Sequence, residues 1–467
     1  MHSALFKSLD PHSLPQAFAF YELYPESDEG QKAIVRARAL LKAPDNVAIE
    51  NLARAIHRFP SAPLEEDEIA TIDKLATFLP NRKLKGFHIK KEEELCLLDP
   101  TEIDLSRALL LLQTNEEKET KNYLALLDLM ALQVLARLPP KATCEEKVRE
   151  MNRFIFQEMR FRFPPHSIYA KKIDTFTFLP SVMDNHIGVC LGVTTLYLAL
   201  AQRIDLPLEI ITPPGHIYIR CPVGDKVINI ETTARGIDIS DEHYQTLHVK
   251  KKLQPRDMKE VIGMTYVNQA SVYWEEGSYE KAVASYEKAI IYLPHDPFTN
   301  ELLGLSYIVS GQKERGRTLL SSIEELSEIG EDFLLGKVDE EGLKAFFMHV
   351  DERRESVLAK QKKLKEVVEQ YPFFRSGLEQ VAVCYLQLHR PKEAIFWLLK
   401  YHELDSKNAL IEYYLALLHA EREDFENAWA FLKNAERNIH DMSPKALNEL
   451  KEELACHLPE PKGKEGV

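Results

Sequence analysis

The chain has 467 residues, 45% hydrophobic and 28% charged, which describes an ordinary globular protein and exceeds one core, so about three domains are expected. A net charge of −14, from 59 basic and 73 acidic residues, repels a phosphate backbone on average and argues against a nucleic-acid partner. No run of about 18 apolar residues is present, so no membrane span is expected.

Residues 1–139 read as helical. Gln31 to Lys42 puts Ala33, Val35, Ala37, Leu40 and Leu41 near a 3.6-residue period, and Val47 to Ile56 puts Ile49, Leu52, Ala53 and Ile56 on one face. Ile69 to Leu79 repeats the pattern, and Leu105 to Leu138 reads as two helices broken around Thr114-Asn115. These amphipathic helices are expected to pack on each other or on the next domain. Pro139-Pro140 ends the block, because proline cannot continue a helix. Thr143 then stands three residues before Glu146, the spacing of a capping box, and opens a helix whose buried face carries Val148, Met151, Phe154, Ile155 and Met159.

Phe161 to Pro180 is aromatic and irregular, and reads as a long loop lying on a core through Phe161, Phe163, Tyr169, Phe176 and Phe178. A helix is expected from about Cys190 to Arg203. Three strand-like segments follow: Leu208 to Thr212, Ile217 to Cys221 after Pro213-Pro-Gly-His216, and Lys226 to Glu231 after the turn at Gly224-Asp225. A helix followed by strands suggests an α+β domain at about 140–255.

Residues 256–467 are repetitive. From Gly263, Ala270 takes a small helix-crossing position and Tyr273 an aromatic one, Gly277 makes the turn, Ala282, Tyr286 and Ala289 follow on a second helix, and Pro294 closes the unit. One period on, Leu303-Gly304, Tyr307 and Gly311 repeat the first helix, but Gly316 stands where alanine is expected. Ala382, Tyr385 and Ala394 form a later unit, and Ala416, Ala428 and Ala435 the next. Residues 327–372 are helical but off this pattern. The array resembles tetratricopeptide repeats, which stack hairpins into a superhelix. The resemblance implies a protein or peptide partner on the concave face.

The cysteines Cys96, Cys144, Cys190, Cys221, Cys384 and Cys456 are scattered, with no CxxC pair and no ligand-like spacing to histidine. No metal site or cofactor is expected, and a reducing, cytoplasmic setting suits them. The N-terminus has no long apolar stretch, so no secretory signal is expected. Lys250-Lys-Lys252 reads as a solvated turn. Cys190 alone has a telling context. It opens a helix behind Gly188, where unpaired N–H groups and the helix dipole favour a thiolate. His216 follows a Pro-Gly turn at the start of a strand. Glu231 lies on the next strand-like segment, with Asn229 two residues earlier and on the same face, and either is placed to orient the imidazole. His166, His186 and His243 read as surface or loop residues, and Arg220 as paired with a local acid.

Cysteine at a helix start, histidine on a strand and an acid on the next strand resembles the transglutaminase-like superfamily, a papain-like arrangement. Asn152-Arg-Phe-Ile-Phe156, Phe178-Leu-Pro-Ser-Val182, Gly188-Val-Cys-Leu191, Leu196-Tyr-Leu-Ala-Leu-Ala201 and Pro214-Gly-His216 are similar to its bacterial SirB-type branch, often followed by tetratricopeptide repeats. The resemblance implies Cys190 as nucleophile, His216 as base and Glu231 as orienting acid. It implies a Cys–His domain with a small antiparallel sheet between a mostly helical N-terminal region and an α-helical repeat array. The third position is usually aspartate. Glutamate here moves the carboxylate by about a bond length, which weakens the expected bond to His216. Many members of the branch lack the cysteine. Two functions follow: cysteine-dependent acyl transfer (protease, deamidase or transamidase) on a protein recruited by the repeats, or a non-catalytic scaffold with a degenerate domain.

Overall fold

The computed structural model describes residues 2–58, 62–165, 172–213, 215–244, 253–351, 353–438 and 444–460. His166, Tyr169, Pro214 and Lys250-Lys-Lys252 lie outside them. The chain forms two compact units. One comprises residues up to Pro164, Lys172–Ile239 and Pro255–Asn268; the other holds the remainder, chiefly from Gln269 onward.

In the first unit, helices Asp28–Leu41, Leu105–Gln113 and Glu117–Leu135 form where expected, the last two separated at Thr114–Glu116, but the buried face of the first carries Ala33, Ile34, Ala37 and Leu41 and leaves Val35 exposed. Val47 to Ile56 behaves differently from its expectation. Helix begins only at Leu52 and runs to Arg58. Val47 and Leu52 close turns onto Pro44 and Ile49, and the Asn51 amide donates to Thr71 Oγ1 at 3.0 Å. Val47 and Ile49 are buried all the same. Ile69 to Leu79 splits into helix Glu66–Leu75 and a 3₁₀ turn Ala76–Phe78 ahead of Pro80.

Helix Cys144–Asn152 starts on the reciprocal capping box of Thr143 and Glu146 and passes into a π-helical turn, Arg153–Glu158. That wider turn buries three successive residues, Phe154, Ile155 and Phe156. Helix Cys190–Arg203 is buried almost all round, from Leu191 to Ala201 and at Arg203. A helix so covered belongs at the centre of a core rather than on its surface. The sheet contains β1 (Glu209–Thr212), β2 (Tyr218–Val223), β3 (Lys226–Ile230) and β4 (Gln254–Arg256) in the order β3-β2-β1-β4. β2 pairs antiparallel with β1 (Ile210 opposite Ile219) and with β3 (Ile219 opposite Ile230), which aligns three isoleucines across the buried face.

The second unit is helical. Hairpins Tyr279–Tyr292 with Pro297–Val309, Arg375–Gln387 with Pro391–Leu404, and Ala409–Ala420 with Phe425–Arg437 bury Ala282, Ala289, Ala382, Ala394, Ala416, Ala428 and Ala435 completely. Small side chains let the helices approach closely. Gly316 replaces alanine for the same reason carried further: a Cβ there would stand 2.5 Å from the Gly304 carbonyl oxygen. The off-pattern segment forms short helices Glu328–Leu334 and Glu340–Phe346, then a long one, Arg354–Gln370.

Candidate active site

Cys190 is the first residue of its helix, and unlike the residues that follow it is half-exposed. The first-turn N–H groups of a helix have no intrahelical acceptor, so the sulfur sits at a concentration of unsatisfied donors. The turn before it is anchored from outside. Val189 N–H donates to the Phe176 carbonyl at 2.9 Å, and Gly192 leaves room for that carbonyl, since a Cβ there would lie 2.2 Å from it.

His216 lies two residues before β2. Gly215 at φ +71° and the His216 N–H to Pro213 carbonyl bond of 3.1 Å turn the chain into the strand. The imidazole Nε2 meets Glu231 Oε2 at 2.7 Å, and the Cys190 side chain lies near enough to the ring to favour its protonated form. With Nε2 on the carboxylate, Nδ1 is the nitrogen left for sulfur. Burial alone would lower the imidazole. The interactions with Cys190 and Glu231 outweigh it and raise His216 to about 10, so imidazolium is its form at neutral pH.

Glu231 is 3% exposed, buried where a surface acid is the ordinary expectation. Its Oε1 accepts from the Thr233 N–H at 3.0 Å and from the Thr233 hydroxyl, which leaves Oε2 to the histidine. The extra methylene of glutamate therefore does not lengthen the bond to His216. Asn229 goes elsewhere. Its amide donates to the Ile239 carbonyl at 2.7 Å and its N–H to Asp238 at 3.0 Å. The structure brings Cys190, His216 and Glu231 together, and gives Asn229 the task of fixing the strand after them. Arg220 pairs with Glu209 at 2.6 Å. His186 stacks on Phe161 at 4.4 Å, and His243 is exposed. Among the described residues no group of three or more His, Cys, Asp or Glu forms a metal site.

A family model described as transglutaminase-like superfamily matches residues 121–266. Those residues form a transglutaminase-like domain. A tetratricopeptide repeat model matches residues 265–290. Two relatives, both "UPF0162 protein" from Xylella fastidiosa, are 20% identical over 188 residues (strain 9a5c) and 19% over 180 (strain Temecula1 / ATCC 700964). The matches span 38% and 36% of this chain and 66% and 63% of the relatives, so just under two thirds of each relative's length is covered. Among solved structures, MamA AMB-1 is 18% identical, covering 38% of this chain and 92% of that one at a TM-score of 0.20. YrrB, described as "a TPR protein with an unusual peptide-binding site", is also 18% identical, covering 41% and 92% at 0.22. No helix among the described residues is long and apolar enough to cross a membrane.

The transglutaminase-like domain holds its trio with residues that sequence spacing does not single out. Asn152 Nδ2 donates to the Gly236 carbonyl and its Oδ1 accepts from Tyr197 OH, both at 3.0 Å. Gly236 N–H in turn donates to the Glu231 carbonyl at 2.8 Å, and Glu231 N–H to Ile237 at 3.1 Å. Gly236, at φ +78°, comes so near Asn152 that a Cβ would lie 2.4 Å from the amide. Thr194 and Thr232 bond through their hydroxyls at 3.0 Å, joining the Cys190 helix to the residue after Glu231. At the helix's far end Arg203, wholly buried, donates to Asp128 at 2.8 Å and Ser106 at 3.0 Å. The motif residue Asn152 was a signal available in the sequence, but only the fold gives it a partner 84 residues away.

Proposed function

We propose that the transglutaminase-like domain, of the SirB-type branch, performs cysteine-dependent acyl transfer on a protein in the cytoplasm, and that the repeats recruit that protein along their concave face. The observation that carries this reading is the 2.7 Å bond from His216 to Glu231 beside Cys190, a half-buried residue at the start of its helix. The Cys190 sulfur attacks an amide carbonyl carbon. The oxygen takes up negative charge against the N–H groups of the first helical turn. The His216 imidazolium gives its proton to the departing nitrogen as the C–N bond breaks, leaving a thioester on Cys190. Neutral His216 then takes a proton from water or an amine, which attacks the thioester and frees the thiol. Water gives proteolysis or deamidation, and an amine gives transamidation. Glu231 holds the ring in position and stabilises its charge throughout.

Alkylation of the native protein by iodoacetamide tests this directly. Cys190 reacts at neutral pH at least about tenfold faster than the exposed Cys456, and His216→Asn removes the difference. A Cys190 that reacts no faster than Cys456 or the buried Cys384 defeats the enzyme reading and leaves a binding protein.

A further inference from the structure

The off-pattern part of the repeats does more than interrupt them. Phe346–Val350, Lys360 and the Gln380, Val383 and Gln387 face of helix Arg375–Gln387 enclose a cleft of 330 Å³, within the ~300–1,000 Å³ range of ligand sites. Its wall mixes apolar and aromatic side chains with His349, Cys384 and two amides, and no carboxylate is among the lining residues. Lys360 enters from helix Arg354–Gln370 with its ammonium 6.0 Å from the centre of the Phe346 ring. Burial lowers this lysine from the usual range, and the Cys384 thiol and Glu275 only partly restore it. Among the described residues it has neither a hydrogen bond nor an ion pair. A half-buried ammonium with no carboxylate in hydrogen-bonding contact is a standing cost to the fold, and a carboxylate entering the cleft would reduce it.

We propose that this cleft binds an extended segment of a partner protein and seats one aspartate or glutamate side chain, flanked by apolar residues, on Lys360. Charge complementarity selects the acid, since the lining offers a cation and amide donors and no competing anion. Five successive half-buried residues, Phe346–Val350, line the cleft lengthwise, which suits a chain running through rather than a chain end. The proposal rests on the reading that the repeats hold a protein, but not on the chemistry of Cys190.

The test uses the full-length protein and an array of acetyl- and amide-capped nonapeptides. Each has an apolar sequence around a central Glu, Gln or Lys, and a parallel set of the Gln peptides carries free C-termini. Capped Glu peptides are expected to bind at least about tenfold more tightly than their Gln counterparts. Lys360→Met abolishes that preference while raising the melting temperature, because an apolar side chain of similar length relieves the buried charge. Lys360→Arg keeps the preference. Equal binding of Glu and Gln peptides, binding confined to free C-termini, or a Lys360→Met protein that binds like wild type overturns the proposal. Loss of Cys190 reactivity leaves these results unchanged, so the two readings fail separately.

Discussion

Around the Cys190 helix, position is fixed by buried side-chain hydrogen bonds: Arg203 to Asp128, Tyr197 to Asn152, Thr194 to Thr232. In the helical hairpins the corresponding crossings are fixed by size, with Ala282, Ala382, Ala416 and Ala428 fully buried and Gly304 against Gly316. A hydrogen bond is directional and fixes an atom to a few tenths of an ångström, whereas a small residue only permits approach. Acid–base chemistry at a sulfur needs the first kind of control. A binding surface built from stacked hairpins needs only the second.

The contrast is most exposed at Asp128. Asp128→Ala leaves Arg203 buried without its carboxylate and should cost about 3–5 kcal/mol, read from urea unfolding of the full chain. A loss under about 1 kcal/mol would mean that the Cys190 helix is held by packing alone. On the repeat side, Gly316→Ala forces a methyl toward the Gly304 carbonyl, and Ala428→Leu overfills a closed crossing. Each should cost about 1–3 kcal/mol in the same assay and leave the alkylation rate of Cys190 unchanged. Tyr197→Phe removes one bond to Asn152, worth about 1 kcal/mol, but should slow Cys190 alkylation because the Glu231 loop loses its anchor. A stability change without a rate change would reduce Asn152 to a structural residue.

The last effect is the pH dependence. His216 is raised in the folded chain to about 10, from about 6.5 when unfolded. Its contribution is therefore complete below pH ~6.5 and declines as pH rises through 10. Glu231→Gln should flatten that decline in an unfolding series from pH 6 to 10, and should move the upper limb of alkylation against pH. An unaltered slope would mean that Glu231 does not set the charge on His216.

Local information was legible and distant information was not. The helix Cys190–Arg203, the capping box at Thr143 and the strands β1, β2 and β3 follow from patterns within one element, whereas β4, only three residues long, carries no such pattern. The alanine spacing of the hairpins is local in the same way. Val47 to Ile56 misled because its apolar spacing fits both a helix and the turns that precede Leu52. The choice of Glu231 over Asn229 depended on Thr233 and Ile239, which bind the two side chains from outside their strand. Gly316 looked like a lapse in the repeat until Gly304 stood opposite it.

The π-helical turn at Arg153–Glu158 has a consequence for comparing relatives. Its extra residue advances everything beyond it by about 100° around the helix axis. Asn152 faces Tyr197 and Gly236 on one side of that step, while Phe154, Ile155 and Phe156 enter the core on the other. Removing one residue would restore an even winding and swing one group off its target. An alignment that treats this helix as a single ungapped block would then pair residues with opposite duties, so its two halves call for separate registration.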